Sequence, residues 1–350
     1  MGASTFLVGC LPPYSEIGVL APIVLVVLRL AQGFSASGEQ AGANSLTLEH
    51  APPRRRAYYT SFTLSGTQAG LILATAVFLP VSRLRGPAIV VGMADPVLAQ
   101  CRRCRGRLHH PRTLDETPAF KEEQQGHNVP KAPLTVLFQH YRPELLRVVL
   151  AALVSIVSTI FGVYALSYAV NTIKIDRATM LWAAILTNTV ALLAIPLSAM
   201  LADRIGRRPV FIFGALASGL LMFAYLWVIS QANIPLVFAV AVLMSGVVYS
   251  ASNRVWPCLY GEMFDTRVRL SGMAIGTQIG FALAGFVPAI ASAVQGTGPN
   301  AWVPVALLTF VVCVIASIAA WTARETHTVP IHDLGKAALH QRTESYLERA

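Results

Sequence analysis

Two apolar runs, Leu181 to Met200 and Val210 to Ile229, are separated only by Leu201-Ala-Asp-Arg-Ile-Gly-Arg-Arg-Pro209. Each run is long enough, at about 20 residues, to cross the hydrocarbon core of a bilayer as a helix. The connection packs four charges between Asp203 and Arg208, and it is too short to fold as a domain. The two runs must therefore form an antiparallel hairpin whose charged tip sits at a membrane surface. Inside a bilayer the backbone must satisfy its own hydrogen bonds, so repeated spans of this kind imply an all-α polytopic membrane fold. Intact spans are expected near 17–50, 57–81, 146–172, 179–202, 209–231, 235–263, 268–294 and 301–322. Composition agrees: 55% of residues are hydrophobic and only 13% charged, against about 25% charged in a soluble domain.

The net charge of +10 would suggest a nucleic-acid partner in a soluble chain. Here it is explained by topology, and no nucleic acid is expected. Seventeen of the 27 basic residues fall in one class of alternating loops, including Arg54, Arg55, Arg56, Arg204, Arg207, Arg208, Arg267 and Arg269. The other class holds only Arg83, Arg85, Lys174 and Arg177. The positive-inside rule makes the first class cytoplasmic, together with the central loop and the C-terminus. Cys10, Cys258 and Cys313 lie in apolar runs and are expected to be packing residues. Cys101-x-x-Cys104 followed by His109-His110 has zinc-like spacing. It falls in a window that breaks the span pattern, so neither a metal nor any other cofactor is expected.

The polar stretch 112–145 divides a front block, 1–111, from a rear block, 146–322, with a polar tail at 323–350. The blocks resemble each other. Glu49 and a following basic cluster lead to Ser65-Gly-Thr-Gln-Ala-Gly70; Glu262 and its basic cluster lead to Ile275-Gly-Thr-Gln-Ile-Gly280. The offsets are 213 and 210 residues. A parallel duplication of this kind places a substrate site between two halves near the midplane. Gly272, Gly276 and Gly280 recur every four residues, as do Gly66 and Gly70, which is the spacing that lets helix backbones approach closely.

Charges inside spans are costly, about 2.5–3.5 kcal/mol each at a helix centre, and they usually face a watery cavity or a partner. Arg29 and Arg254 are the candidates to hold an anionic substrate group, because a guanidinium fork matches a carboxylate. Glu39 is the only acidic residue deep in an intact span and is the candidate proton carrier. A structural Arg–Glu pair inside the bundle is the plainer alternative. Asp203, Arg204, Arg207, Arg208, Glu262 and Arg267 cluster at span ends and are candidates for a cytoplasmic gate, an ion-pair latch that loosens when the halves rock. Arginines at these places also serve simply to fix topology. Asp203 is not explained that way, since acidic residues contribute little to orientation.

The segment 201–209 resembles the signature loop of the major facilitator superfamily, found between spans two and three and, weaker, between eight and nine. Ala199 stands where that family usually has glycine. Arg29-Leu-Ala-Gln-Gly33, Ser37-Gly-Glu39 and Glu49-His-Ala-Pro52 resemble span four of its metabolite:proton symporter branch. Asp115-Glu-Thr-Pro-Ala-Phe120 resembles that branch's central loop, and Glu262 to Arg269 its loop between spans ten and eleven. The resemblance implies two pseudo-repeated six-helix halves, with the front half incomplete here. It implies proton-coupled symport of a small polar metabolite, carboxylate-bearing or zwitterionic, by alternating access in a bacterial inner membrane. The expected partners are that metabolite, the proton and the lipid bilayer, with the chain monomeric. A non-transporting sensor or interaction protein is the rival reading, and an enzyme is not expected.

Ala3 to Leu11 resembles the end of a third span, so spans one and two and the first signature loop are expected to be missing. Residues 85–111 should hold the sixth span, yet they carry Arg102, Arg103, Arg105 and Arg107. Four central arginines would cost about 10–14 kcal/mol. Codons permitted for 92–111, read one nucleotide later, can encode Gly-Trp-Arg-Ile-Pro-Phe and an apolar run. The tryptophan is forced by the Met93-Ala94 codons. The window is therefore expected to be out of frame, and a chain so arranged to transport poorly.

Overall fold

The computed structural model describes residues 2–12, 14–52, 54–81, 133–296, 298, 300–330 and 334. The 85–111 window, most of the 112–145 loop and most of the tail lie outside them. The principal helices are α1 (Gly2–Gly9), α2 (Leu20–His50), α3 (Arg56–Val81) and α4 (Pro133–His140). They are followed by α5 (Arg142–Thr172), α6 (Arg177–Ile205), α7 (Arg207–Ser230), α8 (Ile234–Gly261), α9 (Thr266–Val294) and α10 (Val303–Thr322). Among the described residues, α2 and α5 to α10 are long and apolar enough to cross a membrane. Alpha3, at 26 residues, is of membrane-spanning length as well.

Local chemistry sets the boundaries. The Asp176 side chain accepts a bond from the Thr179 N–H at 3.1 Å and starts α6. Asn233 does the same for α8 through Leu236 N–H at 3.3 Å, with Pro235 in the first turn. Gly206, at φ +111°, makes the sharp joint between α6 and α7.

Three features add to or differ from what the sequence leads one to expect. The loop assigned to 112–145 ends in structure: α4 buries Leu137 against the bundle, and α5 begins at Arg142 rather than 146, helped by Pro143 in its first turn. Alpha5 and α8 are not regular helices. Alpha5 contains a 3-10 turn at Leu153–Ser155 and π segments at Ile160–Tyr164 and Tyr168–Thr172; α8 contains a π segment at Val242–Val248. Cys10 is exposed, whereas Cys258 and Cys313 are buried free thiols as expected.

Packing gives the duplicated glycines different fates. A Cβ on Gly276 would lie 2.7 Å from the Val148 side chain, and one on Gly280 would lie 2.5 Å from Ala152 Cβ and 2.7 Å from the Val149 carbonyl oxygen. These two glycines seat α9 directly on α5. Gly66 and Gly70, at the matching places on α3, meet nothing within 4 Å among the described residues. Alpha3 instead lies across α6 and α8, and α2 lies across α9, so these two helices of the front block cross onto the rear block. Side chains such as Leu193, Leu197, Phe213, Leu220 and Trp321 cover the outside, as expected of a surface solvated by lipid.

Candidate translocation site

Six helix ends meet at one end of the bundle, and the charges of the sequence meet with them. The C-terminal ends of α2, α6 and α8 bring Glu49, Asp203 and Glu262; the N-terminal ends of α3, α7 and α9 bring Arg56, Arg207 and Arg269. Arg269 donates to Glu49 at 2.8 Å and to the Gly261 carbonyl at 3.0 Å. Arg56 donates to Glu262 at 3.2 Å and to the Val329 carbonyl at 2.9 Å. Glu49 and Glu262 are related by the 213-residue offset of the repeat, and so are Arg56 and Arg269. Each glutamate pairs with the arginine of the other block, a reciprocal exchange.

Arg207 joins this network. It lies 3.0 Å from Asp203 and 3.3 Å from Glu262, with its side chain fully buried. Its guanidinium stands between two carboxylates and compensates the charge of both. Asp203 also bonds directionally, its oxygens accepting from the Ala57 and Tyr58 N–H groups at 3.1 and 2.9 Å. It thereby caps the N-terminus of α3, where a negative charge also meets the positive end of the helix dipole. Glu325 plays the corresponding part for α7, accepting from the Arg207 and Arg208 N–H groups at 3.0 Å each. Burial pushes the Glu325 carboxyl up, but bonds from the N–H groups of Arg207, Arg208, Thr326 and His327 outweigh it and hold it below the usual glutamate range. Thr326 donates to Glu262 and completes the contact of this C-terminal segment with the network.

The other expected gate residues lie apart from Glu262. Arg267 pairs locally with Asp265 at 2.6 Å. Arg208 donates to the Trp321 carbonyl, and Arg204 is exposed.

Beneath the charged end lies a cavity of about 430 Å³, bordered by α3, α5, α6, α7 and α8. Its polar lining includes Gln68, Asn188, Tyr225, Tyr249, Asn253 and Arg254. The irregular turns of α5 and α8 border it directly, through Phe161, Gly162, Val163 and Ser245. Such π segments displace side chains from regular helical register and free backbone carbonyls, a common device at functional sites. Arg254, 2% exposed, is the sole charged residue among the described lining. It lies eight residues before Glu262, or about 12 Å deeper at 1.5 Å per residue. With its amide oriented to suit both neighbours, Gln68 accepts from the two terminal guanidinium nitrogens of Arg254 at 2.6 and 3.3 Å and donates to Asn188 Oδ1 at 2.8 Å. Arg254 Nε has no hydrogen-bond partner among the described residues.

Arg29 and Glu39 are placed elsewhere. Both are exposed on α2, and neither borders this cavity. Arg29 donates to Gln32 at 3.1 Å, and Gln32 donates to Thr5 on α1 at 3.0 Å. Of the two arginines named as candidates to hold an anionic group, Arg254 borders this cavity in this conformation. Sequence reasoning missed Glu49, Arg56, Arg269, Gln68 and Glu325. The repeat offset carried the signal for the first three; nothing in the sequence marks Glu325 as a cap.

Crossed helix pairs, a charged closure at one end and a polar cavity beneath it define a polytopic membrane transporter of the major facilitator type. The chain belongs to the sugar (and other) transporter family, whose profile matches residues 93–336. It is 29% identical over 332 residues to the shikimate transporter of Escherichia coli K12, covering 93% of this chain and 76% of that protein. It is also 29% identical over 352 residues to that organism's proline/betaine transporter, covering 97% and 70%. To the putative transporter YdfJ of the same strain it is 30% identical over 356 residues, covering 97% and 81%. Among solved structures, the proton:xylose symporter XylE of E. coli, bound to 6-bromo-6-deoxy-D-glucose, superposes with a TM-score of 0.71 at 18% identity, covering 96% of this chain and 81% of that one. These relatives are transporters, not enzymes.

Proposed function

We propose that the chain is a proton-coupled symporter of a small carboxylate-bearing or zwitterionic metabolite, working by alternating access, with Arg254 as the substrate anchor. One observation carries this reading: a buried guanidinium is the sole charge among the described lining of a polar cavity. A buried cation without a carboxylate partner favours an anionic ligand group, and a guanidinium matches a carboxylate in shape. Two relatives are named for shikimate and for proline and betaine, all of which bear carboxylates. Proton coupling is supported by the fold shared with a proton:xylose symporter, and Glu39 is the proposed proton carrier. In this reading the arginine-rich end is cytoplasmic, the protein lies in a bacterial inner membrane, residues 1–111 are an incomplete first half and 146–322 the second, and the conformation is closed on the inside. The four arginines at 102–107 oppose insertion of that segment, so transport by the chain as written is weak.

The test is uptake of labelled shikimate, proline and betaine into proteoliposomes under an inward proton gradient, with residues 92–111 as written and in the alternative reading frame. At least one substrate is expected to accumulate in the reframed protein, to stop accumulating with a protonophore, and to be lost in Arg254→Ala. Accumulation that ignores the protonophore, or an Arg254→Ala protein as active as its parent, contradicts the proposal.

A further inference from the structure

We infer that Gln68 is a built-in competitor for the substrate's carboxylate: in the empty cavity its side-chain amide occupies the anion site on Arg254, and binding requires its displacement. The inference rests on the reading of Arg254 as anchor. Its geometric basis is that the Gln68 amide oxygen faces both terminal nitrogens of Arg254, at 2.6 and 3.3 Å. The single amide oxygen thus covers the two-nitrogen end of the guanidinium, where a carboxylate would make its pair of bonds. Gln68 also donates to Asn188, so the amide is held from both sides and is itself 8% exposed. A buried arginine left without any acceptor would be destabilising; the amide supplies a neutral acceptor when no anion is present. A carboxylate is the stronger acceptor, because its bond to a guanidinium is charge-assisted on both sides.

The position of Gln68 gives the exchange a consequence. Gln68 lies on α3, whereas Arg254 and Asn188 lie on α8 and α6. The Gln68 contacts thus tie the front block to the rear block at cavity depth. A substrate that displaces the amide removes this tie at the moment it fills the site. Gln68 is accordingly a positioning residue that sets affinity and links occupancy to the contact between blocks. A neutral analogue lacking the carboxylate has no means of displacing it, so the amide also filters for charge.

Thermal unfolding of the purified full chain, titrated with shikimate, proline and betaine and with methyl shikimate as the uncharged control, tests the inference. At least one acid is expected to stabilise the protein and the ester is not. Gln68→Ala should bind that acid about tenfold more tightly, the factor expected when a competing bond to a charged group is removed. Gln68→Glu should place a permanent carboxylate on Arg254: the variant should lose its response to the acids at pH 7 yet unfold at a higher temperature than Gln68→Ala. Unchanged or weaker binding in Gln68→Ala, with binding abolished in Arg254→Ala, overturns the competitor role and leaves the anchor standing. A monodisperse Gln68→Glu protein no more stable than Gln68→Ala overturns the contact itself. An acid response retained in Arg254→Ala, or none in the parent, removes the anchor and the competitor together.

Discussion

Glu49 with Arg269, and Glu262 with Arg56, exchange partners between the two blocks at 2.8 and 3.2 Å. Removing one member of a buried pair leaves the other charge unpaired, a loss of about 3 kcal/mol or more. Glu49→Gln and Arg269→Gln should each lower the unfolding temperature, whereas the exchange Glu49→Arg with Arg269→Glu should recover much of it. A double variant no better than the singles would show that the pair is not an independent unit. Glu325 permits a pH test. Its folded carboxyl is held below its ordinary value by four backbone N–H groups, so its contribution is complete above about pH 4.3 and is lost as pH falls through the lowered value. Glu325→Gln should reduce stability at neutral pH and make the decline between about pH 5 and pH 3 shallower, as measured by unfolding temperature against pH. These residues differ in how they could be read. Asp203, Arg207 and Glu262 announce themselves as charges at span ends. Arg56 and Arg269 look like topology signals until the shared offset is applied to them. Glu325 depends on a tertiary approach of the C-terminal segment to α7, which no local pattern encodes.

The apolar run lengths located the helices to within a few residues, because burial of the backbone in lipid leaves little choice. Their interruptions were not legible. A π turn in α5 or α8 shifts hydrogen bonds by one residue without changing which side chains are apolar, so hydropathy is blind to it. Alpha4 was hidden for the opposite reason: its eight residues follow a charged stretch and read as loop. The glycine pattern was legible as a pattern but not as a contact. Gly280 meets Ala152 and the Val149 carbonyl, and its mate Gly70 meets nothing within 4 Å among the described residues, although the two occupy equivalent places in the repeat. Alanine substitution separates them. Gly280→Ala must push α9 off α5, and overpacking of this kind costs about 1–3 kcal/mol. Gly70→Ala meets nothing and should gain a few tenths to about 1 kcal/mol of helix propensity. Opposite shifts in unfolding temperature are expected, and equal shifts would mean that the α5–α9 contact is not as close as the backbone positions require.

At the scale of the molecule, α3 crosses onto α6 and α8, α2 crosses onto α9, and the charged network lies at one end of the bundle, above the cavity. In a two-state rocking mechanism the ion pairs bias the equilibrium toward the closed arrangement, and neutralising one of them should release that bias. Glu262 is the right place to do so, since it contacts Arg56, Arg207 and Thr326 at once. Cys258 reports the outcome: it lies one helical turn below Glu262 and is fully buried. A hydrophilic maleimide should react slowly with Cys258 in the parent protein and about tenfold faster in Glu262→Gln, if loss of the pairs shifts the equilibrium by roughly 1.4 kcal/mol. General loosening of the fold would raise the rate as well, and Cys313 controls for it. That thiol is buried on α10, within the rear block and against Gly219, where rocking of one block on the other does not reach. Peptide mapping by mass spectrometry resolves the two sites. Glu262 also acts directly on the Cys258 thiol, so Arg56→Gln, which removes the other side of the pair, is measured beside it; faster labelling at Cys258 alone in both variants assigns the network to closure of this end. Faster labelling at both cysteines reduces the network to fold stability, and no change at either shows that packing, not charge, holds the end shut.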